Sequence, residues 1–177
     1  MFFQKKNKNQ NVERIYGKIV KLSRSQKLYS YLNVPDTIDG RFDMLILFTI
    51  LVIHTLSKIK PKGVLLSQEL FDLTFRDLDY SLREMGVGDL GVSMRIKTMI
   101  SAYMGRQKVY SNSFYKNDKK GLNVNLKNNV FRNTEITELK INILSSYCFK
   151  LLKHLEKYDK DSLLTGNFEF IILDDCI

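Results

Sequence analysis

The stretch Gly86-Val87-Gly88-Asp89-Leu90-Gly91 matches the G-x-G-x-x-G spacing with which a backbone cradles a dinucleotide pyrophosphate. That chemistry needs a strand before the first glycine. Here the glycines follow a helical pattern, because Leu66, Leu70, Phe71, Phe75, Leu78, Leu82 and Met85 recur at three- and four-residue steps. Gly86 therefore reads as the left-handed residue that stops a helix, with Val87 folding back on the last turn. The carboxylates Asp72, Asp77, Asp79, Glu84 and Asp89 are hard oxygen ligands, but arginines lie among them and their spacing forces no convergence on a metal. A metal-dependent enzyme using Asp77, Asp79 and Asp89 is the weakest of three readings. No serine, cysteine or lysine has an activating base near it in sequence. Cys148 and Cys176 are isolated, which suits a reducing compartment, and His54 has no histidine or cysteine within a turn. These residues imply no catalytic centre, no cofactor and no metal.

The elements that would position these groups are helices. Ile15, Ile19, Leu22 and Leu28 give a first stripe over about 12–31, ended by Pro35. Asp36 and Asp39 are candidate caps for a second helix, near residues 41–59, which is apolar almost all round. Arg41 and Asp43 before it and His54 and Lys58 after it leave too few apolar residues for the ~20 of a bilayer span, so it is read as the central core helix. A third helix ends at the glycine corner. Its outer row of Asp72, Arg76, Asp79 and Arg83 reads as a solvated ion-pair ladder, each pair contributing about 0.2–0.5 kcal/mol.

Ser93 is the candidate cap of a fourth helix, with Ile96, Met99, Ile100, Tyr103 and Met104 inward and Gly105 marking a close helix contact. A short helix over 122–131 follows, then a long one from a Thr134 cap to about Tyr158, with Ile136 and Leu139 among its inward residues. Phe168 to Leu173 forms a strand-like run that packs on the bundle or pairs with another chain. The predicted fold is all-α: one bundle-like domain of about five to seven helices over 12–158, between a basic flexible leader (1–11) and an acidic tail (159–177).

The chain has 177 residues, a length that suits one domain, and a net charge of +9. Residues 1–32 carry eight basic residues and one acid, whereas 159–177 carry one base and five acids. Arg14, Lys18, Lys21 and Arg24 are candidate contacts to an anionic surface, lipid or RNA, against the plainer reading of a solvated lysine-rich face. The start lacks the apolar run of a secretory signal.

Several of these segments together resemble the ubiquinol-cytochrome c chaperone family. They are Thr37-Ile38-Asp39-Gly40-Arg41-Phe42-Asp43, then Leu70-Phe71-Asp72, then Asp77-Leu78-Asp79, then Leu82-Arg83-Glu84-Met85-Gly86-Val87-Gly88-Asp89, and Tyr103-Met104-Gly105-Arg106 with Tyr110. The order holds from about Asp36 to Phe131. Leu78 stands where the family more often has methionine.

The resemblance implies a non-catalytic assembly factor that binds newly made cytochrome b and promotes assembly of respiratory complex III. It also implies the ribosome and a small partner protein as further partners; the basic first helix adds an anionic membrane surface, and no DNA is expected. The lysine- and asparagine-rich composition suits a bacterial member, placed in the cytoplasm at the inner membrane; a eukaryotic one would sit on the mitochondrial matrix side.

The motif residues Asp39, Gly40, Arg41, Phe42, Asp43, Asp79, Arg83, Glu84, Met85, Gly86, Gly88, Asp89, Arg106 and Tyr110 are the candidate client contacts. The expected groove is walled by the third and fourth helices, with the corner from Arg83 to Asp89 fixing their angle. An architectural reading stands beside it: Gly86 and Gly88 as turn residues, Arg83 and Asp89 tying the loop, Arg41 and Asp43 as a helix-entry ion pair, Arg106 and Tyr110 closing the same corner. An RNA- or ribosome-binding module acting through the basic first helix is the alternative function.

Overall fold

The computed structural model describes residues 2–132 and 134–173, with side chains from Gln10 onward. Its helices in order are α1 (Phe2–Ser23), α2 (Gln26–Ser30), α3 (Ile38–Leu56), α4 (Lys62–Glu84), α5 (Asp89–Tyr115), α6 (Lys119–Asn129), α7 (Glu138–Leu155) and α8 (Lys160–Thr165). Six are long, two are single short turns, and no strand occurs among the described residues. The fold is all-α.

α3 is the centre. Fifteen of its nineteen residues are buried, and it touches α1, α4, α5 and α7. A helix apolar on every side is stable in water only when other helices cover every side. No helix among the described residues is long and apolar enough to cross a membrane. The entry of α3 is capped by Thr37, whose hydroxyl accepts from the Gly40 amide at 3.1 Å, and not by Asp36 or Asp39. Asp36 is occupied instead by Arg41. At Gly40 an added Cβ would lie 1.9 Å from the Pro35 carbonyl oxygen, so only glycine lets this turn close against the helix.

The single first helix expected over 12–31 is two helices, since the chain breaks at Arg24 and Ser25 before α2 resumes. α1 itself begins at Phe2 and so takes in the basic residues ahead of Val12. α5 begins at Asp89 with Gly88 as its N-cap, five residues before the expected Ser93 cap. α7 starts at Glu138 after Thr137, and not from Thr134. Leu139 in its first turn is exposed, because the bundle covers only the later turns of that helix.

α5 runs unbroken through Gly105. A Cβ there would meet nothing within 4 Å, which corrects the expected close helix contact. Met104 beside it is also outward, 49% exposed. Between α4 and α5 the contact is made by Phe71, Phe75 and Tyr103, whose rings lie 4.8 to 5.7 Å apart in pairs.

The segment after α8 is neither a strand nor a loose tail. Gly166 turns the chain in the left-handed region, and Phe168 and Leu173 are buried. Three side chains of α7 and the turn after it hold its backbone: Tyr147 donates to the Ile171 carbonyl, His154 contacts the Glu169 carbonyl, and Tyr158 accepts from the Glu169 amide. Cys148 is a buried core residue whose thiol burial pushes up to about 12; Cys176 and the last acids of the chain lie outside the described residues.

Candidate binding groove at the α4–α5 corner

The corner forms as its residues require. α4 ends at Glu84, and Gly86 takes φ 81°, a left-handed conformation that costs glycine nothing. Its amide donates to the Arg83 carbonyl at 2.9 Å, and the Val87 amide reaches back to Leu82 at 3.1 Å. That pair of bonds is the Schellman cap, and it satisfies carbonyls that the helix end would otherwise leave open. Arg83 then bridges the corner: its Nε donates to Asp79 at 2.6 Å, and its Nη1 pairs with Asp89 on the first turn of α5. The two carboxylates raise the pKa of the guanidinium further. All three groups lie in water, so the bridge orients the turn and adds little stability. Of the ladder foreseen on α4, this is the one ion pair formed; Asp72 accepts from Gln68 instead.

Beside the corner lies a groove of about 230 Å³. Its walls come from α1, α2, the start of α3, the last turns of α4 and the middle of α5, so it is not the two-walled cleft between α4 and α5 that the sequence suggests. The aromatic cluster of Phe71, Phe75 and Tyr103 fills the α4–α5 contact, and a separate hollow between the same two helices, lined by Val64, Gln68, Phe71, Tyr103 and Met104, opens further along them. The groove's floor is apolar: Val20, Phe42, Leu45, Leu78, Leu82 and Met99. Met85 and Ile38 stand at its edge, each 53% exposed. Tyr16 spans the interior, donating its hydroxyl to Asp77 at 2.7 Å, and burial with the Asp77 charge pushes its own pKa up. At the α1–α2 break Arg24 and Tyr29 line the rim, with Arg41 held by both oxygens of Asp36 and lying 5.8 Å over the Tyr29 ring.

The remaining candidates divide by burial. Asp43 does not pair with Arg41. It is buried, and its two oxygens receive Arg106 at 2.7 Å and Arg132. Burial pushes its pKa up to about 6, while the two guanidinium groups pull it down. Arg106 is 8% exposed and lies 5.7 Å over the Phe42 ring. Tyr110 is fully buried, and burial raises its pKa. Arg106 fastens α5 to α3 and Tyr110 is an interior residue of α5, so neither is a surface contact and neither closes the glycine corner. Glu84, Gly88 and Asp89 are exposed around the turn, and Asp39 is exposed in the first turn of α3.

The basic row on α1 is partly committed within the chain. Arg14 donates to the Thr165 carbonyl at 3.1 Å, and Lys18 pairs with Glu169 and lies 5.9 Å over Phe168, so both hold the C-terminal segment. Lys21 and Arg24 are exposed and make no hydrogen bond or ion pair among the described residues. Of the three carboxylates of the metal reading, Asp77 is taken by Tyr16, and Asp79 and Asp89 by Arg83. No group of three or more metal-ligating side chains converges among the described residues. His54 is half-buried edge-on to Phe114 at 5.6 Å, with its pKa lowered mainly by burial.

The sequence profile described as "Ubiquinol-cytochrome C chaperone" matches residues 30–170. The chain belongs to the ubiquinol-cytochrome c chaperone family. The match reaches beyond the Asp36-to-Phe131 motifs through α7 and α8. A solved structure, the crystal structure of the Cbp3 homolog from Brucella abortus, superposes with a TM-score of 0.87 at 31% identity, covering 99% of this chain and 98% of that one. No curated protein matched.

The residues here that no pattern in the sequence singles out are Tyr16 and Arg132; Arg24 stands in the sequence as one of the basic row on the first helix and Asp77 as a carboxylate of the metal reading. The one usable signal was Arg24 and Ser25 interrupting the apolar stripe of the first helix, which marks a break and hence an edge.

Proposed function

We propose that this protein is a non-catalytic assembly chaperone that receives newly made cytochrome b and promotes assembly of respiratory complex III, with the groove beside the glycine corner taking an apolar segment of the client. The observation that supports it is a solvent-open apolar floor, edged by half-exposed Met85 and Ile38, on a chain of this family. An amphipathic or apolar helix laid into such a groove buries its anchors at i, i+3 and i+4. Methionine at the edge adapts to varied side chains because it is unbranched and polarizable. The work is done in the cytoplasm at the inner face of the membrane, where the unpaired Lys21 and Arg24 favour anionic lipid.

A photo-crosslinker at Met85 and, as a control, at exposed Leu139 tests this in the native cells. Cytochrome b attached at Met85 and not at Leu139 is the expected result; equal capture at both sites, or at neither, overturns it.

The same two free cations favour a second reading, contact with ribosomal RNA. Such contact weakens steeply with salt. Ribosome association unchanged between low and high salt would count against it.

A further inference from the structure

The groove adjoins a second, polar space of about 450 Å³ lined by Arg24, Gln26, Tyr29, Ser30, Asp36 and Arg41. Arg24, Tyr29 and Arg41 line both. An apolar slot thus opens into a vestibule with two guanidinium groups and a single carboxylate. Asp36 is engaged by Arg41, which leaves Arg24 as the cation without an ion pair among the described residues. In the slot itself Asp77 already accepts from Tyr16.

Resting on the chaperone reading above, we infer that the groove recognises an apolar polypeptide helix carrying a carboxylate at one end, with the apolar side chains in the slot and the carboxylate in the vestibule against Arg24. The slot, about 230 Å³ and open to solvent, takes a few apolar side chains of a longer segment, as the chaperone reading requires. Charge sets the direction. A carboxylate facing Arg24 gains a charge-assisted hydrogen bond in a rim already shielded by Tyr29, whereas a lysine there faces two guanidinium groups. The contact therefore gives orientation: it selects one end of an otherwise featureless helix.

The test uses the full chain and three fluorescein-labelled leucine–alanine helical peptides, identical except for two terminal glutamates, glutamines or lysines. The expected order of affinity is glutamate, glutamine, lysine, with about a fivefold step between glutamate and glutamine at low salt that shrinks as salt is added. Arg24→Glu, an exposed change checked by an unaltered melting curve, reverses the order. Equal binding of all three peptides overturns the carboxylate preference while leaving the groove as the binding place. Binding of none, or binding undiminished by Met85→Glu, overturns the groove and this inference with it.

Discussion

Asp43 on α3 and Arg106 on α5, 63 residues apart in the chain, meet at 2.7 Å in the interior. The other oxygen of Asp43 takes Arg132, from beyond α6. One carboxylate thus fastens the central helix to α5 and to the end of α6, behind the floor residue Phe42. Breaking a buried pair from one side leaves the other charge stranded, which costs far more than the pair itself contributes.

Asp43→Ala should therefore lower stability by about 3–5 kcal/mol, read by urea unfolding. Arg132→Ala should cost much less, because its side chain is 40% exposed and water can replace it. Similar costs for both would show that the Arg106 contact is not the dominant one.

Acidification tests the charge state of the same carboxyl. Its folded pKa of about 6 stands above the ordinary carboxylate range, so the folded chain takes up the proton first as pH falls. Relative to Asp43→Asn, the native chain should then gain stability between pH 7 and pH 4, in proportion to the extra proton bound. The opposite slope would mean that the two arginines outweigh burial and hold the group below its ordinary value.

The glycines should divide sharply. Gly86→Ala forces a side chain into φ 81° and should cost about 1–2 kcal/mol. Gly105→Ala, in mid-helix with open space around the new methyl, should stabilise by about 0.5–1 kcal/mol. Melting temperatures of the two variants check both signs.

Phe168→Ala should cost about 3–5 kcal/mol, since the ring is 2% exposed among the residues that join the C-terminal segment to α7. A change below 1 kcal/mol in urea unfolding would mean that this segment is not part of the cooperative fold.

What could be read in the sequence was local. The unbroken apolar run from Met44 announces a helix covered on all sides, and Gly86 after an amphipathic stripe announces a C-cap. Pairings across the fold could not be read. Arg41 and Asp43 are two apart, so on a helix they point in different directions, and each found its partner elsewhere: Asp36 in the entry loop, Arg106 and Arg132 from distant helices. The family motifs include Arg106 and Tyr110, yet motif membership says nothing of burial, and both proved to be interior. Serine is a good cap in general and Ser93 offers one, but the Schellman turn already aims the chain and Gly88 suffices, so α5 starts earlier. The groove's α1 wall depends on where α1 packs, which no periodicity encodes.

The groove beside the corner is proposed to hold cytochrome b. This is tested most directly by comparing the native chain with Met85→Glu in gently crosslinked native cells and identifying the polypeptides that come with each. Met85 is half-exposed, so the variant should fold normally. Cytochrome b recovered with the native chain and lost with the variant is the result expected. Cytochrome b recovered equally with both, or ribosomal proteins recovered without it, would contradict the account.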